Sequence, residues 1–228
     1  MKVLFSKSRE LPGCGLVEFF RRVRSVDFDA VELYLPEIAE KDNDTVRSCK
    51  NEGLQLVLQV ATCGDTPAEH RDSLQRLCAR AAACGAARIN CHAGADWSTF
   101  ADNARLFETG LNLEKELGVA ICHETHRGRA LYNAPDTARY LAELPDLKLT
   151  ADLSHWQVVH ETEDLARQSD VVGAVVDRAW HIHARVGCSQ APQVADPRAP
   201  EFTAQLETLL AVWRRILRAR AGAGAEFV

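Results

Sequence analysis

Short apolar segments with many β-branched residues recur along the chain about every 30 residues, which is typical of repeated strand and helix units. Seven of them predict β-strands, at residues 3–5, 30–35, 54–61, 87–92, 119–124, 147–152 and 179–183. Between the strands, apolar residues follow the 3.6-residue period of a helix, as Leu74, Leu77, Cys78 and Ala81 do. The pattern therefore predicts helices packed on a sheet of parallel strands.

The end of the chain indicates how the sheet closes. A long amphipathic helix follows the seventh strand, a Gly-Ala-Gly break at residues 222–224 ends it, and Glu-Phe-Val at residues 226–228 resembles the beginning of another strand. We therefore predict a single domain over residues 1–228, folded as a (β/α)₈ barrel whose eighth strand is cut short where the sequence ends. An open, doubly wound sheet has the same local alternation and is the alternative fold.

Composition and charge narrow the class of protein. The 228 residues contain no apolar run near the roughly 18 residues of a membrane span, and the N-terminus has no basic, hydrophobic leader. We therefore expect a cytoplasmic protein without a membrane partner. The eight cysteines form no Cys-x-x-Cys pair, which favours free thiols over a disulfide framework. A formal net charge of −5 weighs against a polyanionic partner, so no nucleic-acid partner is expected.

Four successive predicted strands end in an acid or an imidazole: His92, Glu124, Asp152 and His183. In parallel α/β folds the carboxyl ends of the strands converge on one face, so we expect these side chains to lie together. Carboxylate oxygens and imidazole nitrogens suit Mn²⁺, Co²⁺, Fe²⁺ or Zn²⁺, and Mg²⁺ where oxygen ligands dominate. We predict a divalent-metal site formed by Glu124, Asp152 and His183, with His181 one layer deeper on the same side of its strand.

Three motifs carry these residues: His-Glu-Thr-His-Arg-Gly-Arg at 123–129, Asp-Leu-Ser-His at 152–155 and His-Ile-His-Ala-Arg at 181–185. Together and in this order they resemble the metal-site segments of the xylose-isomerase-like barrel superfamily. That superfamily includes sugar phosphate isomerases and epimerases, ketose 3-epimerases, hydroxypyruvate isomerase and the family 2 apurinic endonucleases. The resemblance in sequence runs from about residue 87 onward, whereas the first third of the chain resembles the superfamily in architecture alone.

The resemblance implies a metal-dependent isomerase or epimerase that acts on a small sugar, sugar phosphate or hydroxy-ketone through an enediolate intermediate. It implies one divalent ion, with Mn²⁺ favoured and Mg²⁺, Co²⁺ or Zn²⁺ as alternatives, and it gives Glu124 the role of exchanging a proton with the substrate. A fourth ligand, a glutamate at the end of the eighth strand, is expected from the superfamily and is missing. We therefore expect the sequence to stop before it, since Glu226 would lie toward the bottom of the barrel.

The same resemblance implies three substrate contacts. His155 is expected on the loop after the sixth strand, where it would contact a substrate oxygen. Arg185 is expected to reach a hydroxyl, carboxylate or phosphate group of the substrate. His92 is expected to bind substrate or, as in the endonucleases, a second metal.

Other polar and aromatic residues near these motifs have simpler interpretations. Barrel packing is favoured for His123 and His126, and a run such as Arg127-Gly128-Arg129 usually forms a solvated loop. Among the tryptophans, Trp156 is the candidate for stacking on a sugar face, because it is next to His155.

Other classes of function stay open. A zinc phosphoesterase resembling the apurinic endonucleases would use the same acids and histidines, but residues 188–200 lack the Asp-x-His pair that those enzymes carry after the seventh strand. A dehydratase or lyase, or a barrel that binds a ligand without turnover, would reuse the same site. The expected partner is a small sugar-like molecule, and the sequence leaves homo-oligomerisation open.

Overall fold

The computed structural model describes residues 2–9, 13–40 and 43–223, and these contain one parallel sheet of seven strands. The strands follow the chain in order across the sheet: β1 Ser6–Ser8, β2 Ala30–Tyr34, β3 Gln55–Ala61, β4 Arg88–His92, β5 Ile121–Glu124, β6 Leu149–Ala151 and β7 Ala179–Ile182. The strand order of a doubly wound sheet reverses at a switch point, whereas this order never reverses. The barrel prediction is therefore confirmed, and the doubly wound alternative is wrong.

Helices connect the strands and cover the outer face of the sheet. They are α1 Leu16–Ser25, α2 Asn43–Asn51, α3 Pro67–Ala83, α4 Phe100–Leu117, α5 Ala134–Glu143, α6 Ser154–Val159, α7 Ser169–Arg178 and α8 Thr203–Gly222. Short 3₁₀ helices lie at Leu35–Glu37, Leu165–Gln168 and Pro200–Phe202. Helix α3 begins at a capping box, in which Thr66 and Glu69 bind each other's backbone N–H groups. No described helix combines the length and the apolar character that crossing a bilayer requires.

Alternation along each strand divides its side chains between the two faces of the sheet. On β3, Leu56, Leu58 and Val60 are buried in the hydrophobic core beneath the helices. The residues that alternate with these face the barrel interior. There Gln59 of β3 contacts a side chain of β4, and Asn90 of β4 contacts a side chain of β2. The interior is therefore polar near the carboxyl ends of the strands.

Hydrogen bonds across the interior show that the sheet is curled. Glu32 on β2 accepts a hydrogen bond from His181 on β7 at 3.0 Å and another from Asn90 on β4 at 3.1 Å. Arg88 on β4 donates to the carbonyl oxygen of Trp180 on β7. Strands two and seven would be far apart in a flat sheet, since neighbouring strands are about 4.8 Å apart. The sheet therefore folds back on itself as a barrel does.

The barrel is open between β1 and β7 in the part of the chain that the structure describes. A cavity of about 1290 Å³ lies along this opening and is lined by residues of β1, β7 and α8. The predicted beginning of an eighth strand, residues 226–228, lies outside the described residues together with Glu226.

Two local predictions are wrong. The first strand is Ser6–Ser8 rather than residues 3–5, because its register pairs Ser6 with Ala30 and leaves Phe5 outside the strand, 65% exposed. The segment after β6 is the short helix α6 rather than a loop, so His155 lies in a first helical turn.

Candidate metal centre

A cluster of acidic and imidazole side chains lies at the carboxyl end of the barrel. Glu124 is the last residue of β5, Asp152 directly follows β6, and His183 directly follows β7. His155 Nε2 lies 3.7 Å from Asp152 Oδ2 and 4.0 Å from Glu124 Oε1, and His183 Nδ1 lies 3.4 Å from Glu124 Oε2. The structure thus brings together the three residues that the sequence analysis selects as metal ligands, and it places His155 beside them.

Four potential ligand atoms of this cluster are buried without a hydrogen-bond partner: Glu124 Oε1, Asp152 Oδ2, His155 Nε2 and His183 Nδ1. Burial of such groups is costly, because each has lost its water without gaining a hydrogen bond. Ligands bound to one cation at roughly 2.1 Å lie about 3 to 3.5 Å from one another, close to the separations in this cluster. Ligand atoms of Glu124, Asp152 and His155 lie within 4.8 Å of one another and would fit one divalent cation, and His183 Nδ1 lies beside them, 3.8 Å from Asp152 Oδ2. The residues therefore fit the metal that the sequence implies.

The backbone around Asp152 explains why one of its oxygens faces the cluster. Thr125 Oγ1 accepts a hydrogen bond from Asp152 N and donates one to Asp152 O, both at 2.9 Å, which joins the ends of β5 and β6. Oδ1 of Asp152 accepts hydrogen bonds from the backbone N–H and the hydroxyl of Ser154. Oδ2 is left for the cluster, and Arg185 Nε approaches it at 3.2 Å without reaching hydrogen-bond geometry.

Glu32 on β2 is a further member of the site that was not predicted from the sequence. Its two carboxylate oxygens lie 3.0 and 3.1 Å from His183 Nε2, and one of them also accepts a hydrogen bond from His181 Nε2 at 3.0 Å. Because a carboxylate can only accept, Nε2 of His183 carries a proton, and Nδ1 is turned toward Glu124 and Asp152. This arrangement resembles the carboxylate partners that orient metal-bound histidines.

The charges of Glu32, Glu124 and His183 shift one another's pKa values in the barrel interior. Burial raises the pKa of both carboxyls, but the charge of His183 and hydrogen bonds from imidazoles outweigh burial and hold each pKa well below its usual value. Burial lowers the pKa of His183, and the two glutamates more than offset burial, so that its pKa lies well above the usual value. His183 is therefore protonated on both nitrogens in the metal-free protein, and a cation would replace the proton on Nδ1.

A second group of imidazoles borders Glu124. His92 Nε2 lies 2.6 Å from Glu124 Oε2, which also accepts a hydrogen bond from Asn90 at 2.6 Å. The ring of His126 stacks on His92 with centroids 4.4 Å apart and contacts His155 at 3.9 Å. Burial, followed by the charges of His155 and His92, lowers the pKa of His126 to about 4, so His126 is neutral at pH 7. Ligand atoms of His92, Glu124 and His126 lie within 4.8 Å of one another and offer a second metal position.

Several residues that contact these ligands were not predicted from the sequence. Asn90 lies two residues before His92 on the same strand and therefore faces the same side, which was an available signal. Glu32 is a single carboxylate between apolar neighbours, which is also a signal of an inward polar position. The packing interpretation of His126 understates its role, because its ring forms part of the wall of the site. The stacking prediction for Trp156 is wrong, because its side chain is completely buried and its Nε1 donates to Leu131 O.

Buried acids and imidazoles lie together at the ends of β5, β6 and β7. This arrangement defines the class of protein: an α/β barrel with a candidate metal site at the carboxyl ends of its strands. A family model described as "Xylose isomerase-like TIM barrel" matches residues 20–221. The chain belongs to this family. A search of curated protein sequences finds no significant match.

Solved structures with the same fold include enzymes of different reactions. The chain is similar to 3-keto-D-glucoside 4-epimerase from E. coli, with 16% identity, a TM-score of 0.62, and 92% of this chain and 88% of that chain covered. It is similar to D-psicose 3-epimerase from Clostridium cellulolyticum, with 12% identity, a TM-score of 0.67, and coverage of 99% and 83%. It is also similar to endonuclease IV from Thermus thermophilus, with 15% identity, a TM-score of 0.58, and coverage of 94% and 99%. At these identities the likeness shows the fold alone, and the reaction has to be argued from the site.

Proposed function

We propose that this protein is a divalent-metal-dependent isomerase or epimerase of a small sugar, sugar phosphate or hydroxy-ketone. The observation that carries the proposal is the set of four buried, unpaired ligand atoms at the carboxyl end of the barrel. Two of the similar structures are sugar epimerases, which is consistent with this reaction class. Mn²⁺ is the ion that we propose, because the resemblance to the superfamily favours it; the mixed set of two carboxylates and two imidazoles also suits Co²⁺, Fe²⁺ and Zn²⁺.

In this proposal Glu124, Asp152, His183 and His155 hold the cation. The bound ion would supply positive charge that offsets the negative charge developing on a substrate oxygen when a neighbouring carbon loses its proton. His155 thereby takes a ligand position rather than the substrate contact expected from the sequence, since its Nε2 faces both carboxylates from within 4.0 Å.

Glu124 is the residue that we propose to exchange the proton with the substrate carbon. Glu124 is ionised at neutral pH, so its carboxylate has an oxygen that can take up the proton. His92 Nε2 is 2.6 Å from Glu124 Oε2, within reach for sharing or passing on that proton. His92 and Arg185 also line the large cavity beside the cluster, where they can contact substrate oxygens.

Proton exchange in heavy water tests the proposal without knowledge of the exact substrate. Metal-free protein is reloaded with Mn²⁺ and incubated in D₂O with ketoses, ketose phosphates and hydroxypyruvate. We expect deuterium at the carbon next to a carbonyl of at least one compound, and a loss of about 100- to 10,000-fold in the Glu124→Gln variant. The matched control is Glu37→Gln, a carboxylate of the cavity wall that lies outside the metal centre. Wild-type activity in Glu124→Gln would exclude Glu124 as the base.

A second candidate function is phosphoester cleavage of the apurinic endonuclease type. The second ligand group of His92, Glu124 and His126 favours it, because two neighbouring cations can stabilise the attacking and leaving oxygens of a phosphoester. Cleavage of abasic DNA with Zn²⁺, together with no deuterium exchange on any ketose, would replace the first proposal by the second.

A further inference from the structure

The cavity beside the metal centre has a basic wall. Among the described residues that line it, five are lysine or arginine, Lys7, Arg9, Arg129, Arg185 and Arg214, and two are carboxylates, Glu32 and Glu37. The protein as a whole has a formal net charge of −5, so this excess of positive charge is local. A local excess of cations in a concave site attracts an anionic ligand.

Several of these charges are already balanced within the protein. Arg9 forms an ion pair with Glu37, and Arg185 lies 3.2 Å from Asp152. Glu32 is balanced by histidines of the metal centre. Arg129 has no carboxylate within ion-pair distance among the described residues, and it is partly buried, unlike the exposed Arg127 two positions earlier.

Backbone carbonyls hold the guanidinium of Arg129 at the rim of the metal centre. Its Nη1 donates to Thr62 O at 2.8 Å and to Gly94 O at 3.4 Å. Thr62 is the first residue after β3, and its backbone N–H donates to His92 O at 3.0 Å. Arg129 is therefore fixed to the ends of β3 and β4, on the wall of the cavity that His92 and His183 also line.

The charge of Arg129 reaches its surroundings. Burial, followed by the positive charge of Arg129, lowers the pKa of His70 in the first turn of α3. Neutral carbonyl oxygens orient the guanidinium but do not cancel its charge. Nη2 and Nε form no hydrogen bond to the described residues, so they can donate to a ligand.

We propose that Arg129 binds an anionic group, a phosphate or a carboxylate, of the molecule whose reacting carbons lie at the metal centre. This inference rests on the proposed function and adds that the substrate carries a negative charge at one end. A guanidinium pairs with either anion through two parallel hydrogen bonds, so phosphate and carboxylate share this recognition chemistry. The structure thereby separates the two arginines of the Arg127-Gly128-Arg129 run, because Arg129 lines the cavity and Arg127 does not.

Binding to the metal-free protein tests the inference independently of turnover. The probes are glycerol 3-phosphate, D-glycerate and glycerol, which differ in the group at one end, and binding is measured by calorimetry at fixed ionic strength. We expect one or both anions to bind and glycerol not to bind, and the tighter anion identifies the substrate as a sugar phosphate or a sugar acid. Arg129→Gln should weaken that binding about tenfold or more, whereas the matched Arg127→Gln should leave it unchanged. Arg129→Lys keeps the positive charge but loses the planar guanidinium that donates two parallel hydrogen bonds, so it should give an intermediate affinity.

Each other result overturns the inference. Equal effects of the two glutamine variants would mean that general surface charge attracts the anion, and equal binding of glycerol would remove the charge requirement. Failure of both anions to bind the wild-type protein would also refute it, and circular dichroism of each variant excludes misfolding as the cause of a loss. Anion binding through Arg129 without deuterium exchange on any ketose would refute the proposed isomerase function but would support the anion site.

Discussion

Replacing Glu32 with glutamine tests whether this carboxylate orients the His183 ligand. The amide keeps the size of the side chain but removes its charge and one of the two acceptor oxygens that lie 3.0 and 3.1 Å from His183 Nε2. His181, whose Nε2 is 3.0 Å from the same carboxylate, would then compete for the remaining oxygen. The His183 ring loses the contact that turns Nδ1 toward Glu124, so we expect the metal to bind more weakly.

The expected size of the effect follows from the role of Glu32. Loss of a partner that orients a metal-bound histidine typically weakens metal affinity about 10- to 100-fold, which is about 1.4 to 2.7 kcal/mol. Glu32 is buried, and its replacement also removes a negative charge close to the cation, so we expect a value near 100-fold. A loss beyond about 1,000-fold would mean instead that Glu32 binds the ion directly.

Mn²⁺ affinity is measured by competition with a fluorescent chelator at fixed pH, and denaturant unfolding checks that each variant folds. Glu37→Gln is the matched control, because Glu37 is a carboxylate of the same cavity wall that pairs with Arg9. An affinity of Glu32→Gln within about twofold of the wild type, with the control unchanged, would refute the orienting role.

Two further predictions concern backbone strain and pH. Gly94 and Gly128 both have positive φ, 67° and 74°, but a Cβ on Gly94 would overlap Asn103 Oδ1, whereas a Cβ on Gly128 meets nothing within 4 Å. Gly128→Ala should therefore cost about 1 to 2 kcal/mol of unfolding free energy, and Gly94→Ala should cost clearly more; equal values in denaturant unfolding would contradict this. Metal affinity should rise with pH by about tenfold per unit below the raised pKa of His183, because the ligand must lose a proton before it binds the ion. Calorimetry at several pH values measures this slope, and buffers of different ionisation enthalpy report the proton that is released. An affinity that does not change with pH would contradict the assignment of His183 as a ligand.

The strands with apolar outward faces could be predicted well from the sequence. Residues 54–61 are predicted as a strand, and the structure forms β3 at Gln55–Ala61, because Leu56, Leu58 and Val60 need to be buried beneath the helices. The first strand has no such face. Its residues Ser6–Ser8 are polar and partly exposed. A prediction based on apolar residues therefore selects the neighbouring segment, residues 3–5, instead.

Glu32 could not be assigned from local sequence, because its partners are far along the chain. It lies 149 and 151 positions from His181 and His183, and the hydrogen bonds between them form only when the sheet curls. An acid in the middle of an apolar strand indicates an inward polar position, but it does not tell which side chain it meets.

His155 illustrates how the backbone after a strand decides where a side chain lies. Read as part of a loop, the segment after Asp152 would carry His155 away from the strand ends and toward a bound substrate. The chain instead enters α6 directly, with Ser154 bound to the Asp152 carboxylate. Residues three apart in such a turn lie on the same side, so His155 returns to within 3.7 Å of Asp152 Oδ2. The same spacing that the sequence displays therefore makes His155 a ligand candidate once the helix is known.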